Sequence, residues 1–584
     1  MNAALISRRK ASILVLVIGI AYFLAASAGF YMIIHGGREA RIDIWMNTEA
    51  SLDGDNESKS ADIRRWNVHP LCIASDEFAA AQQPRGVQFW DYIKQEAPGI
   101  FKYARLHNIF TSSAGDRRGE ANAGGDVVQQ HPNGTIFYNW TKVNDLYDNI
   151  TSAGITPFVE IGFMPVLLSR ISDPGNKPER RLPGNFTEWR NLIRAFLHHV
   201  GNRYGNETIK EWRFEVWNEP DAGSFWSDED NDYMRLYNET ASEIKTFSPE
   251  LRVGGPAIAN DYDFFERFLE FCSTNDVPLD FISFHAKGGH GGEIFPSHET
   301  LVGKVRKYVS IIKTFPEYDQ RGDGTEYFLT EADPIVGSHK NKIERPEFAF
   351  RDTEYYPAWY VNTLVQLVQL QLELDASIHG MFSHNILFPW EVKTFHGTRG
   401  FLTPLFSATD TIETSIPGDM PLEPSTGVLG KPIFTGAQLV GKIPWNQSLL
   451  LETKVTGRCA RFNMINALGF KILDGRILVL IAHQEEIQDA RTTRIASVNI
   501  ELDETPLSPV EVKEWRIDAS DNNAFRIWEN MGEPERLNPQ QVADLQDVAR
   551  LSSTSSTMVE TEGRTLHLDI TLEPYTTLLL ECFP

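Results

Sequence analysis

The sequence predicts an α/β protein, a (β/α)8 TIM barrel followed by a C-terminal β-sandwich domain. Between residues 64 and 443, eight apolar runs alternate with helical patterns, and this alternation is the signature of a (β/α)8 barrel. From about Leu449 the pattern changes to short alternating strands, which favours a β-sandwich over residues 444–584. With 584 residues, 42% of them hydrophobic, the chain can bury a large core in more than one domain.

The amino-terminal residues 1–39 read as a targeting segment. A basic cluster, Arg8-Arg9-Lys10, precedes an uncharged stretch over residues 11–34 that is long enough to span a bilayer as a signal anchor. A cleaved signal peptide is the alternative, because Ala26-Ser27-Ala28 fits a small-residue cleavage site. Both readings send the chain into the secretory pathway, as a lysosomal, extracellular or membrane-anchored protein with a lumenal catalytic domain.

Sequons and cysteines are consistent with an oxidising, lumenal setting. Of the four cysteines, Cys459 and Cys582 both fall in the carboxyl-terminal region and are the predicted disulfide pair. Buried free thiols are the alternative. Asn-x-Ser/Thr glycosylation acceptors occur at Asn56, Asn133, Asn139, Asn149, Asn185, Asn206, Asn238 and Asn446.

The barrel elements follow one another in regular order through residues 64–443. Helical patterns fall between the strands, for example at Thr187–Tyr204, Asp232–Phe247 and Ala358–Asp375. Residues 409–430, rich in Pro, Thr, Ser and Gly, predict a long loop before the last helix. The eight predicted strands are Trp66–Ala74, Phe101–Phe110, Thr156–Phe163, Trp212–Pro220, Arg252–Ala257, Phe281–His285, Tyr327–Glu331 and His379–Phe388.

The carboxyl-terminal domain is predicted from its strand pattern alone. Residues 40–63, ahead of the barrel, are expected to add an edge strand to its sheet. Its own strands are predicted at Lys471–Ala482, Ala496–Leu502, Val510–Ile517 and Thr576–Cys582.

A first candidate catalytic residue, Glu219, stands at the end of the fourth predicted strand in Phe-Glu-Val-Trp-Asn-Glu-Pro-Asp (214–221). Pro220 has no backbone donor, so the strand must stop there. Asn218 and Glu219 are therefore presented together at a carboxyl strand end, where the catalytic groups of such barrels gather. The alternative is a glutamate that merely caps the next helix.

A second carboxylate, Glu331, has the matching place in Tyr-Phe-Leu-Thr-Glu-Ala-Asp-Pro (327–334). Two carboxylates on separate strand ends are what hydrolysis of a glycosidic bond needs, one as proton donor and the other as nucleophile or ionic stabiliser. Asp333 competes for the second role, but beside Pro334 a structural hydrogen bond is the preferred interpretation. The sequence gives no separation between the carboxylates, so retention and inversion both stay open.

The remaining composition excludes several classes of function. A formal charge of −24 argues against nucleic acid and anionic membrane surfaces as partners. No phosphate-binding glycine loop, paired-cysteine zinc motif or His-Glu-x-x-His occurs in the chain, so neither cofactor nor metal is expected. An anionic substrate would need a local basic cluster. The expected partner is a carbohydrate substrate.

Both carboxylate motifs resemble those of clan A glycoside hydrolases, and from about Trp66 onward the chain resembles family 39, most of all its α-L-iduronidases. Trp-Asn-Glu-Pro-Asp (217–221) is common to the clan and implies a retaining glycosidase. Asp-Phe-Ile-Ser-Phe-His-Ala-Lys-Gly (280–288) and Glu-Ala-Asp-Pro-Ile-Val-Gly (331–337) are more specific to iduronidase.

This resemblance implies individual roles. Glu219 would be the acid/base and Glu331 the nucleophile of a double displacement, the first with a raised pKa and the second kept ionised. Asn218 would hydrogen-bond the 2-hydroxyl of the sugar. Arg105 and His107, at the second strand, match a position that lines the sugar site. A buried ion pair inside the barrel is the structural alternative for Arg105.

Basic residues point to an acidic sugar. His285 and Lys287 alternate at the end of the sixth strand and share a face, and an ammonium at a barrel mouth needs an anion. The resemblance implies that Arg399 and the backbone amide of Gly337 hold a uronic carboxylate, for which a guanidinium fork is suited. A structural histidine and a solvated loop arginine are the alternatives for His285 and Arg399.

Two features depart from the iduronidase pattern. Asn385 replaces the acidic residue that the family has after the eighth strand, and residues 159–165 look closer to the β-xylosidase branch. We expect a retaining exo-glycosidase that removes terminal α-L-iduronic acid from dermatan- or heparan-type glycosaminoglycans. A β-xylosidase or related enzyme on a neutral sugar is the alternative. A third hypothesis is a carbohydrate-binding protein that has kept the fold and lost catalysis.

Overall fold

A computed structural model describes most of the chain outside its amino terminus. The described residues are 40–48, 69–75, 84–111, 126–289, 298–319, 325–335, 341–384, 391, 393–407, 427–458, 464–484, 495–505 and 509–583.

The strands and helices are numbered here in chain order. The strands are β1 (Ala40–Asn47), β2 (His69–Ser75), β3 (Tyr103–Leu106), β4 (Val128–Gln130), β5 (Ile136–Tyr138), β6 (Thr156–Ile161), β7 (Arg213–Val216), β8 (Arg252–Ile258), β9 (Phe281–Lys287), β10 (Glu326–Asp333), β11 (Ile378–His384), β12 (Leu402–Leu405), β13 (Gly427–Gly430), β14 (Ser448–Arg458), β15 (Met464–Ile472), β16 (Ile477–Gln484), β17 (Ala496–Asp503), β18 (Val510–Ile517), β19 (Ser555–Val559), β20 (Leu566–Leu572) and β21 (Thr577–Phe583). The helices are α1 (Pro84–Glu96), α2 (Thr141–Ser152), α3 (Phe186–Tyr204), α4 (Asn206–Ile209), α5 (Asp230–Phe247), α6 (Tyr262–Thr274), α7 (His298–Ile312), α8 (Tyr355–Leu374), α9 (Pro432–Gly441), α10 (Ala524–Asn530) and α11 (Pro539–Val548).

Eight parallel strands close into a barrel in the order β2-β3-β6-β7-β8-β9-β10-β11, which confirms the predicted fold class. The eight predicted strands are these eight. The larger of two barrel cores lies between the strands and the helices that pack around them. The other joins side chains of six strands, Cys72, Tyr103, Phe158, Phe281, Phe328 and Phe382.

The barrel interior changes character from this aromatic layer toward the carboxyl strand ends. Side chains two positions apart on a strand point to the same side. Arg105 follows Tyr103 by two residues, and Glu160 follows Phe158 in the same way, and both charged side chains are fully buried. A charged layer therefore lies above the aromatic one and below the mouth, which is the catalytic face of a barrel.

The carboxyl-terminal domain is a mostly antiparallel β-sandwich. Its strand order is β19-β18-β21-β16-β15-β14-β1-β17-β20. Strand β14 pairs with β15 through residues 448–451 and with β1 through residues 452–458, so it passes from one layer to the other. Apolar side chains of both layers meet in one core, including Ile44, Ile500, Val479 and Leu580.

Several element predictions need correction. Residues 40–47 do form a strand of this sheet, but β1 pairs with both β14 and β17 and is interior rather than an edge. The predicted strand Lys471–Ala482 spans a hairpin, because β15 ends at Ile472 and β16 begins at Ile477. Residues 409–426 and 386–388 lie outside the described residues.

Three other predictions concern disulfides, membranes and glycans. Cys582 is a buried free thiol, so the predicted Cys459–Cys582 disulfide is contradicted; Cys459 itself is outside the described part. No helix within that part is long and apolar enough to cross a membrane, and residues 11–34 lie outside it. Of the sequons, Asn56 is outside, Asn446 has no described side chain, Asn149 and Asn238 are half-buried, and the exposed ones are Asn133, Asn139, Asn185 and Asn206.

Candidate active site

Glu219 reaches the barrel mouth from a turn, not from a strand. Strand β7 ends at Val216, earlier than the predicted Pro220. Trp217 and Glu219 then take left-handed backbone conformations, with φ of 74° and 43°, and the Glu219 amide donates to the Ala257 carbonyl at 3.0 Å. Positive φ is costly for such residues and clusters at functional sites. The turn sets the Glu219 carboxylate 2.9 Å from Nδ1 of His285.

Glu331 is turned into the barrel by an irregularity in β10. Phe328 belongs to the interior layer, so strict alternation would put Glu331 on the outer face. The pairing of β10 with β9 shifts register between Leu329 and Glu331, and such irregularities re-aim side chains near active sites. The Glu331 carboxylate accepts a hydrogen bond from Nζ of Lys287 at 2.6 Å.

The two glutamates are near neighbours. One oxygen of Glu219, one of Glu331 and a ring nitrogen of His285 all lie within 4.8 Å of one another. Retaining glycosidases hold their two carboxyl groups about 5–5.5 Å apart, whereas inverting enzymes leave about 6.5–9.5 Å for a water. The spacing therefore matches the double-displacement arrangement.

These three groups could also hold a metal ion. However, Nζ of Lys287 and Nη1 of Arg105 already face Glu331, at 2.6 and 3.5 Å. Their positive charges disfavour a further cation at the same carboxylate. The donor set is better suited to acid–base chemistry.

Burial and charge place the two glutamates in different electrostatic environments. Burial, followed by the nearby charge of Glu331, raises the pKa of Glu219 to about 7. Burial lowers the pKa of His285 to about 3, so the ring beside Glu219 is neutral at physiological pH. Lys287, Arg105 and the more distant His107 imidazole, at 3.6 Å, surround Glu331 with donors that favour its ionised form.

Arg105 organises the charged layer beneath the pair. Its guanidinium bonds Glu215 at 2.6 Å and Glu160 at 2.9 Å, and it donates to Oδ1 of Asn218 at 2.9 Å. The predicted ion pair inside the barrel is therefore present. The Asn218 Oδ1 atom is thus committed, whereas its Nδ2 is buried without a hydrogen-bond partner among the described residues. That NH2 group is suited to a hydroxyl of a bound sugar.

Asp333 joins two basic residues at the edge of the pair. Its Oδ2 atom lies 2.5 Å from Nζ of Lys287 and 2.5 Å from Nη1 of Arg399. Burial would lower the pKa of Lys287, but Asp333 and then Glu331 outweigh it and raise that pKa. Lys287 is therefore charged and contacts both Asp333 and Glu331, whereas Arg399 reaches Asp333.

The structure brings together the candidate residues from separate strands and loops. They are Arg105, His107, Asn218, Glu219, His285, Lys287, Glu331 and Arg399. Gly337 and Asn385 lie outside the described residues.

Sequence reasoning missed the supporting carboxylates Glu160 and Glu215. Glu160 also lies 2.5 Å from Nδ1 of His107, so it orients that ring. Glu160 is the single charge of β6, Glu215 follows Arg213 by two residues in β7, and the two strands pair the glutamates with each other directly. A buried arginine needs counter-charges, and that requirement could have identified them from the sequence.

A closed parallel barrel with two adjacent carboxylates at its carboxyl rim, one with a raised pKa and one beside two cations, defines the site of a glycoside hydrolase. The sequence profile of glycosyl hydrolases family 39 matches residues 78–565. The chain belongs to this family and is a glycosidase.

Known proteins similar to this chain include β-xylosidases and α-L-iduronidases. A β-xylosidase of Geobacillus stearothermophilus is 36% identical over 225 residues, which are 37% of this chain and 42% of that protein. The α-L-iduronidase of Homo sapiens is 26% identical over 339 residues, 53% of this chain and 45% of that protein. The matches thus span less than half the length of these two relatives. The crystal structure of a GH39 enzyme from Xanthomonas axonopodis pv. citri superimposes with a TM-score of 0.68 at 20% identity, covering 94% of this chain and 98% of that one.

Proposed function

We propose that the protein is a retaining exo-glycosidase that releases terminal α-L-iduronic acid, with Glu219 as acid/base and Glu331 as nucleophile. The observation that carries the choice of sugar is that Lys287 contacts Glu331 and that Lys287 and Arg399 meet at the neighbouring Asp333. A neutral sugar has no group that needs two cations there.

Charge balance during the reaction supports an acidic sugar. Lys287 and Glu331 are in contact in the free enzyme, and Asp333 lies between Lys287 and Arg399. When Glu331 forms an ester with the sugar, its negative charge disappears and Lys287 loses one of its two carboxylate partners. A carboxylate on the sugar would replace that partner at this stage.

The geometry fits two displacements. In the first, Glu219 gives its proton to the glycosidic oxygen as the bond from that oxygen to the anomeric carbon breaks, and a Glu331 oxygen bonds that carbon. Glu331 is then neutral, so the charge that helps to raise the pKa of Glu219 is gone and Glu219 becomes a base. In the second, water attacks the anomeric carbon, gives its proton to Glu219 and releases Glu331. Asn218, through Nδ2, is placed to bond the 2-hydroxyl.

We further propose glycosaminoglycans of the dermatan or heparan type as the source of the sugar, in the secretory pathway or outside the cell. The resemblance of the motifs to iduronidases supports the first point. The signal-like amino terminus supports the second, and so do the exposed sequons, such as Asn133 and Asn185.

A β-xylosidase is the second candidate. Asp333 already accepts from both Lys287 and Arg399, so the two cations have an internal partner when the sugar carries no charge. The similarity to a β-xylosidase at 36% identity favours the same alternative.

A substrate panel distinguishes these candidates. We expect the enzyme to hydrolyse a fluorogenic α-L-iduronide with a higher kcat/KM than the matching β-D-glucuronide or β-D-xyloside. Arg399→Ala should raise KM for the iduronide about tenfold or more, because a charge-assisted hydrogen bond to the sugar is lost. The KM for the xyloside should stay near its original value. Arg306→Ala is the control, because Arg306 pairs with Glu373 on the exposed outer surface. Equal losses on both glycosides would favour the xylosidase, and an intact but inactive protein would favour a binding role.

A further inference from the structure

Arg399 lies on a loop with no regular structure, just before β12. Gly397 has a φ of +74°, which a side chain would strain. A Cβ atom at Gly397 would also fall 2.6 Å from the Cβ of Lys342. The backbone conformation two residues before Arg399 is therefore fixed by tight packing.

A buried ion pair holds the loop immediately before Arg399. Nζ of Lys431, the residue preceding α9, lies 2.7 Å from Oδ1 of Asp352. The other Asp352 oxygen accepts from the Gly397 amide at 2.7 Å, and Lys431 donates to the carbonyl of Thr398 at 2.9 Å. Both side chains are fully buried. The pair therefore fixes Gly397 and Thr398, the two residues that precede Arg399.

The carboxyl-terminal domain holds the same loop from another side. Phe395 packs its ring 5.4 Å from that of Phe525 and 5.3 Å from that of Trp528, both on α10. Glu354, two residues after Asp352, pairs with Arg526 of the same helix at 2.5 Å. The loop is thus clamped between the barrel and the second domain.

We propose that Lys431 and Asp352 are positioning residues for Arg399. They hold its guanidinium at Asp333 and at the carboxylate of the proposed uronic acid. Helix α10 holds the same loop through its contacts with Phe395. The inference deepens the proposed function, because it rests on Arg399 contacting the sugar. Lys431 bonds the carbonyl of the residue before Arg399, so it acts on the sugar only through the loop.

The physical argument concerns preorganisation. A guanidinium on a loose loop must be ordered when the sugar binds, and that ordering reduces affinity. Removing Lys431 takes away the nearer cation of the buried Asp352 carboxylate, leaving Lys342 at 3.6 Å, and also removes the bond to the Thr398 carbonyl, so the loop is held less tightly. The cost should fall on binding of the sugar more than on the chemical step.

Lys431→Met tests this, with Lys431→Arg as the conservative variant and Lys393→Met as the matched control. Lys393 is on the same loop as Arg399, but it is exposed and its ion-pair partner Glu535 is a surface residue. We expect Lys431→Met to raise KM about tenfold on the preferred glycoside with kcat within about twofold, as for lost ground-state binding. Lys431→Arg should recover most of the affinity, and Lys393→Met should change neither constant.

A double-mutant cycle separates positioning from general damage. In an Arg399→Ala background, Lys431→Met should add less than about a twofold further rise in KM, because coupled residues are not additive. A full tenfold rise in that background, or an unchanged KM in folded Lys431→Met, would overturn the proposal. An Arg399→Ala variant with unchanged KM would also overturn it, since nothing would then need positioning.

The cycle is independent of which sugar the panel selects. If the xyloside is the preferred substrate, the proposed uronide function fails, while the coupling is still measured with the xyloside. If Lys431→Met does not fold, Phe525→Leu loosens the other side of the clamp, and a KM rise of about threefold with kcat retained is expected. No KM change in that folded variant would overturn the proposal.

Discussion

Glu219→Gln should make the protein more stable, and the gain should depend on pH. The pKa of Glu219 rises from 4.5 to about 7 on folding, through burial first and the charge of Glu331 second. Below pH 4.5 the Glu219 carboxyl is protonated in both the folded and the unfolded state, so it does not reduce the free energy of unfolding. As pH rises from 4.5 to 7, the unfolded chain releases a proton that the folded chain retains, so the folded state loses stability relative to the unfolded state.

The magnitude follows from the size of the pKa shift. A shift of about 2.5 pH units at about 1.36 kcal/mol per unit gives up to about 3 kcal/mol at pH 8. Glutamine cannot ionise and keeps an amide beside Nδ1 of His285, so the variant should not incur this loss.

Urea unfolding of both proteins at pH 4, 6 and 8 measures the effect. We expect the difference in unfolding free energy to be near zero at pH 4 and to grow through pH 6 to pH 8. Glu266→Gln, the same substitution at an exposed position of α6, controls for the exchange itself. A difference that does not change with pH, or a variant that is less stable than the parent at pH 8, would refute the assignment of Glu219 as a protonated acid.

Three further outcomes are expected. The rate constant kcat/KM should fall about tenfold per pH unit above about pH 7, as Glu219 loses the proton it must donate, and a flat basic limb would contradict this. Arg105→Met should lower the free energy of unfolding by about 3–5 kcal/mol, because Glu160 and Glu215 would stay buried without their cation, and a loss under about 1 kcal/mol in urea unfolding would contradict the network. Asn218→Ala should lower kcat about 10²-fold through the lost contact to the 2-hydroxyl, and it should do so much less on a 2-deoxy glycoside.

The barrel could be predicted from the sequence because each predicted strand contains several apolar residues and helical patterns recur between the strands. Strand existence depends on local composition, whereas strand ends depend on tertiary contacts. Glu219 shows the difference: alternation predicts a strand to Pro220, but the chain leaves β7 after Val216 through left-handed residues. Glu219 therefore lies at the predicted rim of the barrel, but on a turn rather than on the predicted strand.

Glu331 shows a second limit. Its place in the chain pointed to the rim, but strict alternation from Phe328 would turn it outward. The register shift in β10 that brings it inward comes from pairing with β9, a strand about 45 residues away in sequence, and no local pattern records it. Asp333 was interpreted as structural, and it does accept hydrogen bonds, but from both Lys287 and Arg399.

The sandwich was less predictable than the barrel. The tight turn between Ile472 and Ile477 is short enough for two strands to read as one apolar run. The interior place of β1 depends on β14 and β17, which are more than 400 residues away, so periodicity in residues 40–47 cannot reveal it.

Covalent trapping tests the central claim most directly. A 5-fluoro or 2-deoxy-2-fluoro glycoside of the preferred sugar, with a good leaving group, should glycosylate the nucleophile and stop turnover, because the fluorine slows the second displacement and the good leaving group keeps the first one fast. Peptide mass spectrometry should then find one sugar on Glu331, and Glu331→Gln should take up none. A label on Asp333, or inactivation with no covalent sugar on the chain, would contradict the double displacement proposed here.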